Sequence, residues 1–259
     1  TPERVDAELT KIRAEWSDSL APLQVSTPDP ELNSMVNVWH AYQTHMTFNW
    51  SRGVSLIEAG GRDGLGYRDT VQDMLAVTHA IPEHVRERLD LIITGQMEEG
   101  GALPLVKPLT HNPGHEETPP IEKYRSDDAL WLPITIANFV YETGDVSYLD
   151  HVLPYADHGR ATVFGDLEHG VTIPLKHRGA IALDQGLRAD WNEWSQFGTT
   201  GESTFSTFLV ANGLRIVAGL AEQAGRDSSA AWARAALDRL HPVLEGAWDG
   251  DWYIRGISE

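Results

Sequence analysis

The chain contains 259 residues, 41% of them hydrophobic, and its 38 acidic side chains against 20 basic ones give a formal net charge of -18. That apolar content is enough to bury a core, and so negative a chain is repelled by nucleic acid and by anionic membranes, so neither is an expected partner. Because the chain has no cysteine, no signal-like start and no apolar run close to the roughly 20 residues that cross a bilayer, the sequence indicates a cytoplasmic protein.

Apolar residues recur at helical spacing along most of the chain, which predicts a helical protein. In chain order, helices are predicted over residues 3–17, 29–42, 70–79, 82–95, 127–143, 159–167, 203–224 and 228–245. Asp127 and Asp128 suit the start of a helix, where negative charge offsets the helix dipole, and Gly144 suits its end.

Segments rich in glycine or proline separate these helices and predict loops. The loops are predicted over residues 49–66, 100–125 and 177–192, and the second is long enough to suggest a functional role. Only residues 170–174 and 252–254 have a strand-like pattern, so the predicted class is all-α. Helix pairs that follow one another in series favour an α/α toroid.

Three clusters of charged side chains occur where loops lead into helices. They are Arg62 with Arg68 and Asp69, then Arg125 to Asp128, then Arg188 to Trp194. Carboxylates and guanidinium groups bind sugar hydroxyls, and a Trp ring packs on the apolar face of a pyranose, so the clusters predict a carbohydrate site. Helix capping and surface ion pairing are the alternative roles for such charges, and the pattern alone leaves them open.

The histidines do not predict a metal site. Of eleven in the chain, His111 and His115 have the i, i+4 spacing of helical zinc ligands, but Pro113 between them interrupts a helix. The sequence therefore predicts no metal and no cofactor.

Five segments together resemble one family of enzymes. They are YQTHMTFN at 42–49, GYRDTVQD at 66–73, DDALWL at 127–132, DWNE at 190–193 and GES at 201–203. Their order and spacing are similar to those of the inverting glycoside phosphorylases of glycoside hydrolase family 94, which include the cellobiose and chitobiose phosphorylases. The resemblance covers nearly the whole chain.

The resemblance implies both a fold and a reaction. The fold is an (α/α)6 barrel, and the reaction cleaves a β-linked disaccharide with inorganic phosphate as co-substrate. Its products are an α-sugar 1-phosphate and a free acceptor sugar, with inversion at the anomeric carbon. Phosphate is itself an anionic nucleophile, so this chemistry needs only a general acid, whereas an inverting hydrolase also needs a carboxylate that activates water.

The resemblance also implies which residue is the general acid. In the family motif Asp-Trp-Asn-Asp the last acidic residue has this role, and Glu193 occupies that place here with a side chain one methylene longer. Because a displacement of about 1 Å can cost on the order of a hundredfold in rate, Asp190 stays a rival for the role.

Further site residues follow by the same transfer. Arg62, Arg68, Asp69 and Trp191 are similar to residues that hold the sugar on the non-reducing side of the cleaved bond, and Asp190 is an additional candidate. Asp127 and Asp128 match a family motif too, with helix capping or wall structure as the alternative. Glu202 is expected to support a helix N-terminus instead of binding a ligand.

Family members are longer than this chain, which is therefore expected to be the front part of the barrel. In the family, a β-sandwich precedes the barrel and a further part with phosphate-binding residues follows. A partial barrel would leave helix faces exposed, so the chain is expected to need a partner segment. By resemblance, the full-length protein is expected to form a homodimer.

Two other functions stay open at this level. A binding module would hold sugar without turnover, and an inverting glycosidase would release free sugar by activating water. The disaccharide is expected to be cellobiose-like, with β-glucose as the default donor. The acceptor is undetermined, and residues 100–125 are the loop expected to select it.

Overall fold

The structure is a computed structural model that describes residues 1–51, 64–192, 197–198 and 200–259, and in these ranges it is rich in helix. The α-helices are α1 (Pro2–Leu20), α2 (Pro30–Ser34), α3 (Ala41–Trp50), α4 (Tyr67–Met74), α5 (Pro82–Ile93), α6 (Leu132–Thr143), α7 (Val163–Lys176), α8 (Thr204–Gln223) and α9 (Asp227–Gly246). A π-helical segment, Met35–His40, joins α2 to α3. Single 3-10 turns occur at Ile121–Lys123, Asp128–Trp131 and Val146–Asp150.

Very short strands pair between the helices, always antiparallel. They are β1 (Leu65–Gly66), β2 (Leu105–Val106), β3 (Val152–Pro154), β4 (Arg160–Thr162), β5 (Asp184–Gln185), β6 (Glu202–Ser203) and β7 (Gly256–Ile257). β1 pairs with β2, β3 with β4, and β6 lies between β5 and β7. In that three-stranded sheet Ser203 is opposite both Asp184 and Gly256, so segments distant in sequence meet at the start of α8.

The core lies among helices α4 to α9. Helix α8 is its centre, since it contacts α6, α7 and α9 and buries Leu209, Val210, Leu214 and Val217. Burying side chains of this kind stabilises the fold by roughly 1.5–3 kcal/mol each. Ser203 accepts a hydrogen bond from the Ser206 amide and so caps the N-terminus of α8.

Most predicted helices are confirmed, with some shifted ends. The helix predicted over residues 29–42 runs on to Trp50, and Asp29 caps its first turn. The predicted stop at Gly144 is confirmed, since this residue has the left-handed φ of 71° that glycine adopts without strain.

The region from 159 to 174 differs from the prediction. Residues 160–162 form a strand, and α7 begins only at Val163, where Thr162 caps it. Residues 170–174 are helical, so the strand predicted there is wrong. Residues 252–254 form no strand either, and Tyr253 makes one isolated bridge to Trp248.

The expectation that the chain has no apolar run of about 20 residues is wrong, because helix α8 is such a run. Within the described ranges it is long and apolar enough to cross a bilayer, with a mean hydropathy of 1.4 in its most apolar window. However, 67% of that window is buried against the rest of the protein. A core helix meets the same criterion, so the finding is weak support for a membrane span.

Candidate active site

Two predicted site segments run side by side. The Ser126 amide donates to the Ala189 carbonyl at 2.9 Å, and the Arg188 amide donates to the Tyr124 carbonyl at 3.1 Å. The charge of Asp190 contributes to raising the pKa of Asp127, so the two carboxylates lie close together.

Arg68, in the first turn of α4, connects these two segments. Its Nη1 donates to Asp127 Oδ1 at 3.0 Å and to the Asp190 carbonyl oxygen at 3.1 Å, and its Nε lies 3.9 Å from Asp128 Oδ1. The side chain is only 10% exposed. One guanidinium group therefore joins the three predicted clusters of charged side chains within the protein.

Asp127 and Asp128 form a buried carboxylate pair. Asp127 accepts from Arg68 and also from Trp131 Nε1 at 3.0 Å, but it makes no side-chain cap bond to the following helix, contrary to the capping alternative. Asp128 lies 3.9 Å from Arg68 and from Arg125, and among the described residues neither of its oxygens has a hydrogen-bond partner.

Burial controls the protonation of this pair. Loss of solvent, and secondarily the charge of Asp127, raises the pKa of Asp128 to about 8 against the opposing effect of Arg125 and Arg68. Burial likewise raises the pKa of Asp127, although Arg68 and Trp131 counteract it. Asp69 adds to the negative field on Asp128, which places its charge close to the pair.

Asp128→Asn is expected to stabilise the protein at pH 8. Asp127→Asn, by contrast, is expected to lower the melting temperature by roughly 5–10 °C. The raised pKa means that folded Asp128 holds a proton that the unfolded chain releases. The contribution of Asp128 to stability therefore falls as the pH rises from 3.8, the ordinary pKa of an aspartate, to about 8, its raised pKa. Asp127→Asn instead turns an amide N–H toward the donors of Arg68 or Trp131.

Thermal unfolding followed by circular dichroism at pH 5 and pH 8 checks this pair of variants. The two substitutions are matched in chemistry and adjacent in sequence. Equal losses of melting temperature in both variants, at both pH values, would contradict the raised pKa of Asp128.

Asp190 is the second centre of the site. It is fully buried, and its carboxylate accepts from the Asn192 amide at 2.9 Å, from Ser203 Oγ at 2.6 Å and from Arg255 Nη2 at 2.6 Å. Such a set of donors satisfies the carboxylate within the protein.

The other predicted residues differ in position. Trp191 follows Asp190 and is 53% exposed. Asp69 is half-buried in the first turn of α4. Arg62 and Glu193 lie outside the described residues.

Glu202 does not support a helix N-terminus, and that prediction is wrong. Its carboxylate is buried and accepts from the amides of Ile181 and Leu183 at 3.1 and 2.9 Å. It therefore holds the turn that precedes β5, while the neighbouring Ser203 caps α8.

Sequence reasoning missed Trp131, Ser203 and Arg255 as parts of this site. Trp131 had a local signal, since it follows Asp127 by four residues in a helical stretch. Arg255 had none, because it lies 65 residues from Asp190 along the chain. In the described ranges, no group of three or more potential metal ligands comes together.

Nearly the whole chain matches one known protein family. The model of the glycosyl hydrolase 94 superfamily catalytic domain matches residues 15–259. The chain belongs to this superfamily. The family inferred from the sequence motifs is thereby confirmed.

Individual relatives are phosphorylases by name. Two N,N'-diacetylchitobiose phosphorylases, from Vibrio proteolyticus and Vibrio furnissii, are 36% and 37% identical over 276 and 284 residues. A solabiose phosphorylase from Paenibacillus borealis is 27% identical over 265 residues. These matches cover 98%, 99% and 100% of this chain but 34%, 34% and 32% of the relatives. The chain thus spans about a third of the length of the relatives it matches.

Proposed function

We propose that the protein catalyses the phosphorolysis of a β-linked disaccharide, with inversion, to an α-sugar 1-phosphate and a free sugar. The observation that carries this proposal is the position of Arg68, which joins Asp127 to the backbone of Asp190 beside the exposed Trp191. Membership of the glycosyl hydrolase 94 superfamily and the names of the relatives support the reaction type.

In the proposed reaction, an oxygen of hydrogen phosphate attacks the anomeric carbon as the glycosidic C–O bond breaks. Glu193 gives its proton to the leaving oxygen of the acceptor sugar, and the proton of the bound phosphate ester restores the acid. Attack from the face opposite the leaving group produces the α-anomer. Protonation by a positioned side chain contributes typically 10²–10⁴-fold to such a step.

The burial of the described residues supports a division of roles among them. Trp191 and Asp69 are accessible enough to contact sugar, and we assign them to the substrate. Asp127, Asp128 and Asp190 are at most 2% exposed, and we assign them to the wall that holds Arg68 and the 190–193 segment. This revises the direct sugar contacts that the resemblance implied for these three carboxylates.

The same burial disfavours the glycosidase alternative. An inverting hydrolase needs a carboxylate that activates water about 6.5–9.5 Å from the acid. Asp127 and Asp190 are buried and accept from arginine, tryptophan and serine donors inside the protein, which disfavours either of them as that carboxylate.

We further propose that the chain contributes to an (α/α)6 barrel in a cytoplasmic, homodimeric enzyme. The hairpin of α8 and α9, which make extensive contact, supports the barrel. Helix α1 buries none of its residues and exposes Val5, Leu9 and Ile12, as expected of a surface that other protein covers.

N,N'-diacetylchitobiose is the disaccharide we propose to test first, ahead of the cellobiose expected from sequence. The two relatives named for this substrate are more similar to the chain than the solabiose phosphorylase is. A second relative outside that pair, from Neurospora crassa, is a cellobionic acid phosphorylase at 29% identity.

The test is a phosphate-dependence assay on the protein as encoded by its full gene. N,N'-diacetylchitobiose and cellobiose are incubated with and without inorganic phosphate, and proton NMR identifies the anomer of the product. We expect an α-sugar 1-phosphate that forms only with phosphate. Free sugars without phosphate would indicate a glycosidase, and sugar binding without turnover would indicate a binding module.

A further inference from the structure

Arg255 reaches the site from the far end of the chain. It directly precedes β7, whose pairing with β6 sets Gly256 opposite Ser203. Any residue larger than glycine at 256 would place its Cβ 2.3 Å from the Glu202 carbonyl oxygen. The close approach of the two strands therefore fixes where the Arg255 side chain begins.

The guanidinium group of Arg255 makes a bonded set with two residues. Its Nη2 donates to Asp190 at 2.6 Å, its Nη1 lies 3.3 Å from Ser203 Oγ, and Ser203 Oγ in turn donates to Asp190 Oδ2 at 2.6 Å. The rings of Phe197 and Phe205 each lie 5.4 Å from its guanidinium carbon, within the range of a cation–π contact.

The bonded carboxylate holds the backbone that follows it. Asp190 Oδ1 accepts the Asn192 amide at 2.9 Å, and the Asp190 carbonyl accepts from Arg68. Arg255 thus holds the side chain of Asp190, and Arg68 holds its backbone. Glu193, to which we assign the proton transfer, directly follows this turn in the sequence.

We propose that Arg255, acting through Asp190 and Ser203, is a positioning residue for the general acid. The inference rests on the proposed function, since it concerns how Glu193 is held relative to the leaving oxygen. In this role Arg255 transfers no proton itself. It fits this task because a planar fork spans two acceptors at once, which the single ammonium of lysine does not.

The test compares two leaving groups in variants of the full-length protein. Arg255→Met is expected to lower kcat for the natural disaccharide roughly 30–100-fold, with KM changed less than about threefold, because a displacement of about 1 Å has an effect of this size. For a 2,4-dinitrophenyl β-glycoside of the same donor sugar, the expected loss is below about threefold, since this leaving group needs little protonation.

Further variants make the result decisive. Arg255→Lys keeps the charge beside Asp190, and its kcat on the disaccharide is expected to fall roughly tenfold. This variant also replaces Arg255→Met in the test if the methionine variant fails to fold. In a Glu193→Gln background, Arg255→Met should add less than about threefold, because no acid remains to be positioned. Arg234→Met is the control, since Arg234 forms an exposed ion pair with Glu222 on α8 and α9.

Equal losses on both leaving groups, or full activity in Arg255→Met and Arg255→Lys, would overturn the inference. A failure of the proposed function is seen separately, as the absence of phosphate-dependent turnover in the unaltered protein. When the unaltered protein shows turnover, the role of Arg255 is tested by the ratio of the kcat losses on the two substrates.

Discussion

Replacing Arg68 with methionine is expected to lower the melting temperature by roughly 10 °C and to abolish phosphorolysis. The guanidinium group is 10% exposed and faces Asp127, Asp128 and the carbonyl of Asp190. Without it, buried negative charge is left uncompensated, which costs about 3–5 kcal/mol when one partner of a buried pair is removed. Activity is lost as well because Asp127 and the carbonyl of Asp190 lose the side chain that links them.

Arg86 provides a matched control for this variant. It also forms an arginine–aspartate pair, with Asp145 at 2.8 Å, but 41% of its side chain is exposed. Arg86→Met is therefore expected to cost about 1 kcal/mol and to leave kcat unchanged. Equal losses of stability in the two variants would contradict the claim that the buried position of Arg68 makes its ion pairs more stabilising than the exposed pair of Arg86.

Arg68→Lys separates charge from geometry. Lysine keeps the positive charge beside the carboxylates, yet its ammonium does not reproduce the reach of Nη1 and Nε to separate acceptors. We expect most of the stability to be retained and kcat to fall. Chemical denaturation and steady-state kinetics on the same preparation measure both quantities.

The helices could be predicted because their apolar residues follow the 3.6-residue period over long stretches. Residues 170–174 show where this fails. Val171 and Ile173 are β-branched and lie between Gly170 and Pro174, a pattern that favours a strand. However, Gly170, Val171 and Pro174 are buried, and this burial keeps the segment in α7. Tertiary packing here outweighs local preference.

The site could be predicted only in part. The motifs located Arg68, Asp127 and Asp190, because each stands in a short segment that the family shares. What those side chains contact depends on pairings between distant segments, such as β6 with β7 and residues 124–126 with 187–189. No local pattern encodes such pairings, so the contribution of Arg255 and the burial of Asp190 emerged only from the structure.

Among the substitutions that leave the fold stable, Glu193→Gln is expected to have the largest effect on catalysis. The amide has nearly the shape of the carboxylic acid but transfers no proton, so turnover of the disaccharide should fall by roughly 10²–10⁴-fold while sugar binding is retained. Stability should change little. The activated aryl glycoside should remain a substrate, since its leaving group departs without an acid.

Asp190→Asn is the matched comparison for this substitution. Its carboxylate accepts from Ser203, Asn192 and Arg255, so the amide disrupts a buried, charge-assisted network. We expect a lower melting temperature and a moderate loss of kcat on the disaccharide. A rival role of Asp190 as the acid would instead give the larger catalytic loss at position 190.

The most direct measurement is the rate of sugar 1-phosphate formation by the full-length protein and by its Glu193→Gln and Asp190→Asn variants, with N,N'-diacetylchitobiose and phosphate. We expect phosphate-dependent product from the unaltered protein, near-complete loss in Glu193→Gln with sugar still bound, and partial loss in Asp190→Asn. Undiminished turnover in Glu193→Gln would contradict the assignment of the acid, and product formation without phosphate would contradict the reaction itself.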